Sequence, residues 1–158
     1  EQKRRFRSFL DAEGNNSLFH FPYEFLQGDA MSGILIGGNI RCFLKLAGTG
    51  YFPELTGKIL LLEAWGGKVP QMVTYLSQLS QIGAFKKVNG ILLGTFTQME
   101  QSECHPDMSQ LILEFAEKKT PIARTSLIGH GTDSKAIRIG HHLKLYSGEA
   151  NARIYKNL

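Results

Sequence analysis

The spacing of apolar residues changes several times along the chain, and each spacing predicts an element. Phe6, Phe9 and Leu10 fall at i, i+3, i+4 and predict a helix over 3–13, stopped by Gly14 and Asn15. Phe19, Phe21, Tyr23 and Phe25 then alternate with His20, Pro22 and Glu24. That is an extended piece, in which Pro22 argues for a sheet edge or a loop. Residues 33–36 form a short apolar run ended by Gly37-Gly38-Asn39, and Ile40, Phe43, Leu44 and Ala47 share the face of a helix over 40–47. KILLL at 58–62 is apolar throughout after Lys58, the pattern of a buried strand, and Glu63 is expected to end it.

Over 69–82, Val69, Met72, Val73, Leu76, Leu79 and Ile82 recur on one helical face, with Pro70 in the first turn and Gly83 as the stop. VNGILL at 88–93 predicts a second central strand, and residues 95–106 a loop. Met108, Leu111, Ile112 and Phe115 place a helix over 107–118, and Pro121, Ile122 and Ala123 begin a third strand. The alternating stretch 135–139 and the runs 143–146 and 152–155 read as further short strands near the C-terminus. Strand–helix–strand alternation predicts an α/β fold: a small layered domain with a central, mainly parallel sheet flanked by helices, plus extra antiparallel C-terminal strands.

Composition narrows this only a little. A chain of 158 residues that is 42% hydrophobic and 20% charged buries a core without staples, which excludes a disordered tail or a disulfide scaffold. Cys42 and Cys104 have no metal-type spacing and read as unpaired thiols of a reducing compartment. No apolar run approaches the length of a membrane span, so no membrane partner is expected. The polar start EQKRRFR lacks the apolar stretch of a signal peptide. Because the chain begins at Glu1, its true beginning is expected to lie upstream. The net charge is +4, with Lys3, Arg4, Arg5 and Arg7 crowded into the first seven positions and the remainder near balance. With no nucleic-acid-binding motif beside that arm, no nucleic-acid partner is expected.

The usual nucleotide-loop, zincin and nucleophile-elbow motifs are absent. Two residues stand out instead. Glu63 follows four apolar residues at the carboxyl end of a central strand, where open α/β sheets place their sites. A carboxylate buried there needs a partner. His130 sits between Gly129 and Gly131 in a loop, with Asp133 and Ser134 close enough in sequence to orient a ring or cap a turn. The other histidines, His20, His105, His141 and His142, suit no metal motif, so neither metal nor cofactor is expected. A histidine and a carboxylate are two members of a catalytic triad. Thr49, Ser126, Thr132 and Ser134 are hydroxyl candidates for the third, and none has a position that singles it out.

Five segments carry a resemblance. GGNIRCFLKLAGTGYFP at 37–53, GKILLLEAWGGKV at 57–69, YLSQLSQIGAF at 75–85, VNGILLGTF at 88–96 and IGHGTDSKAIRIG at 128–140 together resemble, in order and spacing, the C-terminal domain of the LD-carboxypeptidases. These serine peptidases include muramoyl-tetrapeptide carboxypeptidase and the microcin C immunity protein. Ala64 stands where many members have an acidic residue, and Arg138 where many have proline.

The resemblance implies a Ser-His-Glu triad split between two domains. Glu63 and His130 would be its glutamate and histidine, with the serine and the oxyanion donors on an N-terminal domain absent from this chain. Residues 1–32 would then be an interdomain connection or arm, and 33–158 the C-terminal domain. The implied substrate is a murein tetrapeptide, cut between meso-diaminopimelate and the terminal D-alanine. The implied setting is the cytoplasm, as a homodimer, without a cofactor. The alternatives are a hydrolase of microcin-type peptide-nucleotide antibiotics and a non-catalytic α/β interaction module. Phe19, Phe21, Phe25 and Tyr51 are the apolar residues expected to be exposed toward the missing domain.

Overall fold

In the computed structural model, which describes residues 20–149 and 153–155, seven strands form one sheet. They are β1 (Glu24–Gln27), β2 (Ala30–Asn39), β3 (Lys58–Ala64), β4 (Gly90–Phe96), β5 (Ile122–Arg124), β6 (His142–Tyr146) and β7 (Arg153–Tyr155). Their spatial order is β1-β5-β4-β3-β2-β6-β7. The inner four, β5-β4-β3-β2, are parallel, while β1, β6 and β7 pair antiparallel at the two edges. The helices are α1 (Ile40–Leu44), α2 (Val69–Gln81), α3 (Ala84–Lys87), α4 (Thr97–Gln101) and α5 (Met108–Phe115). The α/β class, the mainly parallel centre and the antiparallel C-terminal strands are as expected. The helix expected over 3–13 and Phe19 lie outside the described residues.

β3 is buried on both faces because it is apolar at every position from Ile59 to Leu62. Its two-residue period divides the core. Leu60, Leu62 and Ala64 join the cluster built by the helices, with Met72, Leu76 and Leu79 of α2 and Leu111 and Ile112 of α5. Ile59 and Leu61 face the other cluster, made by Phe21, Met31, Leu35, Leu92, Ile128, Leu143 and Leu145. The described helices therefore cover one face. The other is covered by the chain entering at Phe21 and by the irregular segment that follows β5.

Several expectations are corrected. The apolar run 33–36 is part of a ten-residue strand, and Gly37-Gly38 do not end it. Both glycines stay in register with Leu61 and Leu62 at φ of 103° and 133°, values that side-chain-bearing residues rarely adopt. A Cβ on Gly37 would fall on the Leu61 carbonyl oxygen. Glu63 does not terminate β3, which runs through to Ala64. Residues 95–106 are not all loop, since β4 extends through Phe96 and α4 follows it directly. The stretch 135–139 alternates but forms no strand, and it is β6 that pairs with β2. Phe21 is fully buried in the second cluster, against the expectation of exposure; Phe25 is half-buried, and Tyr51 is 84% exposed.

Candidate active site

The parallel strands β2, β3 and β4 end on the same edge of the sheet, and there the chemistry-bearing residues meet. Glu63 lies on the same face of β3 as Ile59 and Leu61, toward the segment that follows β5. It is 6% exposed, and burial at that level demands a partner for a carboxylate. The partner is His130, whose Nδ1 lies 2.6 Å from Glu63 Oε2. A carboxylate only accepts, so the neutral imidazole donates from Nδ1 and keeps a lone pair on Nε2. The imidazole side chain is 45% exposed, and it lines a cleft at the end of the sheet.

The histidine loop is clipped to the end of β4. Thr125 N–H donates to Leu93 O at 2.9 Å, and Thr95 N–H donates to Ile128 O at 2.8 Å. The His130 N–H itself donates to the Thr95 hydroxyl at 3.0 Å. Two glycines make room for this approach. A Cβ on Gly94 would fall on the Ile128 carbonyl and reach 3.0 Å from Glu63 Cβ. A Cβ on Gly129, at φ 124°, would meet the Thr95 hydroxyl and sit 3.2 Å from Glu63 Oε2.

Thr95 was missed in the sequence. Its signal was present, as one polar residue inside the apolar run ILLGTF, and it is 4% exposed. Thr95→Val keeps the shape and removes the acceptor of the His130 N–H. An expected loss of about 1–3 kcal/mol follows from leaving that donor unpaired. Urea denaturation of the two chains side by side measures it, and equal midpoints at equal slopes would show that the clip contributes nothing.

None of the four hydroxyl candidates reaches the imidazole. Thr49 Oγ1 donates to Leu46 O at 2.7 Å at the end of α1. Ser126 lines a separate hollow of about 860 Å³ beneath α4 and α5, which holds neither Glu63 nor His130. Thr132 and Asp133 are exposed, and the Ser134 hydroxyl is buried with no hydrogen-bond partner. Among the described residues nothing hydrogen-bonds Nε2. Cys42 and Cys104 are both unpaired. No three His, Cys, Asp or Glu side chains among the described residues group as metal ligands. No described helix is long and apolar enough to cross a membrane.

The cleft beside His130 has a volume of about 460 Å³, within the usual range for small-molecule sites. Besides His130 it is lined by Asn39, Arg41 and Cys42, and by Ala64, Trp65, Gly66, Gly67 and Gln71. Trp65 is 66% exposed. Asn39 is held in register with Glu63, and its side chain caps α1 by accepting the Cys42 N–H at 3.2 Å.

The family model of the LD-carboxypeptidase C-terminal domain matches residues 32–145, well over half of the chain. The chain belongs to the LD-carboxypeptidase family. It is 31% identical over 142 residues to a "Putative carboxypeptidase" of Treponema pallidum, and 28% identical over 152 residues to "Putative carboxypeptidase YocD" of Bacillus subtilis. Those matches cover 87% and 94% of this chain but 41% and 46% of the relatives, so the chain spans less than half their length. Among solved structures, an MccF-like protein of Bacillus anthracis superposes with a TM-score of 0.70 at 27% identity, covering 85% of this chain and 43% of that one. An MccF-like protein of Streptococcus pneumoniae in complex with AMP superposes with a TM-score of 0.72 at 23% identity, covering 87% and 45%. This LD-carboxypeptidase domain is thereby associated with serine-type carboxypeptidases and related hydrolases, and it shares their α/β architecture.

Proposed function

We propose that the chain is the His/Glu half of a serine-type hydrolase that cleaves an amide bond through an acyl-enzyme. In this reading residues 1–32 end an interdomain connection, 33–158 are the C-terminal domain, and the nucleophile belongs to a domain outside these residues. The supporting observation is the 2.6 Å pair of Glu63 and His130 at the head of a cleft, with Nδ1 committed to the carboxylate and Nε2 left for another group.

The chemistry follows from that geometry. A serine hydroxyl brought within about 3 Å of Nε2 gives up its proton as its oxygen attacks the amide carbon. Glu63 holds the ring's orientation and stabilises the imidazolium. Nε2 then protonates the leaving nitrogen, and a water activated by the same base hydrolyses the ester. The oxyanion donors come from the second domain. The 158-residue chain alone is expected to be inert.

For the substrate, an aminoacyl or peptidyl group joined to a nucleotide-like moiety comes first. Solved MccF structures carry aspartyl sulfamoyl adenosine and glutamyl sulfamoyl guanosine, and here Trp65 presents an open aromatic surface beside His130. The murein tetrapeptide comes second, on the strength of the relatives named as carboxypeptidases. A cytoplasmic homodimer belongs to the same proposal.

The full-length protein should be offered aspartyl sulfamoyl adenosine and murein tetrapeptide separately, with products read by mass spectrometry. The expected result is hydrolysis of both kinds of amide, with the larger kcat/KM for the adenosine conjugate. Preferential D-alanine release would exchange the two substrates. A folded full-length protein that leaves both intact would remove the hydrolase reading and favour the non-catalytic module.

A further inference from the structure

Among the described residues, Arg41 is the one arginine or lysine that lines the His130 cleft, and no carboxylate lines it. Glu63 lies behind the imidazole, occupied by Nδ1. The Arg41 side chain makes no hydrogen bond or ion pair with any described residue. Arg124, at the end of β5, shows what a structural arginine looks like in this fold: it is paired with Glu24 and donates to Ser109 Oγ at 3.2 Å. The position of Arg41 is also set. It follows Asn39, which is paired with β3 and caps α1, so the first turn of α1 is anchored to the strand that carries Glu63.

We propose that Arg41 binds the anionic substituent of the leaving group. The inference rests on the reading of His130 as the proton carrier. The base that takes the nucleophile's proton hands it to the leaving nitrogen, so leaving-group atoms occupy the space beside Nε2. That space is the cleft. When the leaving group is a C-terminal amino acid, its carboxylate is two bonds from the leaving nitrogen. When it is a nucleotide-like conjugate, an acidic sulfamoyl or phosphoryl group adjoins that nitrogen. Both place negative charge near Nε2, and a guanidinium fork matches carboxylate and phosphate oxygens in pairs. The shared chemistry is an anion adjoining the scissile nitrogen.

Trp65, the only tryptophan of the chain, lines the same cleft and serves as a reporter. The 158-residue chain should be titrated with leaving-group ligands while Trp65 fluorescence is followed. The pairs are D-alanine against D-alaninamide, and AMP against adenosine, so that the carboxylate and phosphate sources are read separately. The expected result is that at least one carboxylate- or phosphate-bearing ligand binds about tenfold more tightly in the wild type than its counterpart lacking that group. Arg41→Gln should abolish that preference, and Arg41→Lys should restore part of it. The pair that shows the preference identifies the source.

Equal binding within both pairs, or a preference that survives Arg41→Gln, overturns the assignment. So does the absence of any saturable signal with either anion. Hydrolysis is not read in this titration, so its outcome is separable from that of the catalytic proposal. A chain that keeps the Arg41-dependent preference, beside a full-length protein that cleaves nothing, would leave the anion site standing and remove only the hydrolase.

Discussion

Replacing His130 with alanine in the full-length protein is expected to lower kcat by about 10,000-fold or more. In the proposed mechanism the imidazole carries the proton between the nucleophile and the leaving nitrogen, and triad members act as a unit, so losing the base costs nearly as much as losing the triad. The alanine variant also strands the buried Glu63 carboxylate and could fail through folding alone. His130→Asn is the control, because its amide can still donate toward Glu63 while offering no base. Both variants should show the loss, with the asparagine protein nearer to wild type in urea stability. Turnover within tenfold of wild type in a folded His130→Asn protein would remove His130 from the reaction.

The second large effect is expected at Glu63. Glu63→Gln keeps the size of the side chain and changes what it offers. A carboxylate obliges Nδ1 to donate, whereas an amide can present its NH₂ to Nδ1 and draw the proton to Nε2. The ring then faces the nucleophile with a donor where a base is needed. The expected loss in kcat is about 1,000- to 10,000-fold, with a much smaller change in KM. Nitrogen NMR of the imidazole in the 158-residue chain reads the tautomer directly. A move from the Nδ1–H to the Nε2–H form should accompany the loss of turnover. An unchanged tautomer together with unchanged turnover would make the pair a structural contact only.

Much of this arrangement is legible in the sequence because burial writes a period into it. Leu60, Leu62, Met72, Leu76, Leu111 and Ile112 are spaced as their elements require, so the central strands and the longer helices can be read without coordinates. Glu63 stands out for the same reason, as a charge at the end of an apolar run. His130 stands out by its flanking glycines, and the need for Gly129 is visible in how closely the Thr95 hydroxyl and Glu63 Oε2 approach it.

Where local pattern and long-range pairing disagree, the sequence misleads. Gly37-Gly38 has the local chemistry of a stop, yet ladder bonds to Leu61 and Leu62 hold it in β2. Residues 135–139 alternate like a strand, yet it is β6 that pairs with β2. Thr95 reads as the first residue of a loop, because its duty lies 35 residues away at the His130 N–H. Phe21 reads as exposed, because the cluster that buries it draws on segments from Met31 to Leu145 that only the sheet brings together.

The sequence by itself determined the α/β class and the strands and helices of the core, and it singled out Glu63 and His130 as candidates for proton chemistry, since each depends on local spacing and on the cost of burying charge. Only the tertiary structure decided that Glu63 and His130, 67 positions apart, are hydrogen-bonded, that Thr95 holds the loop, and that Arg41 and Trp65 share the cleft with the imidazole. Those relations come from parallel strands ending on one edge. That register is fixed by pairing between distant segments, and no local pattern encodes it.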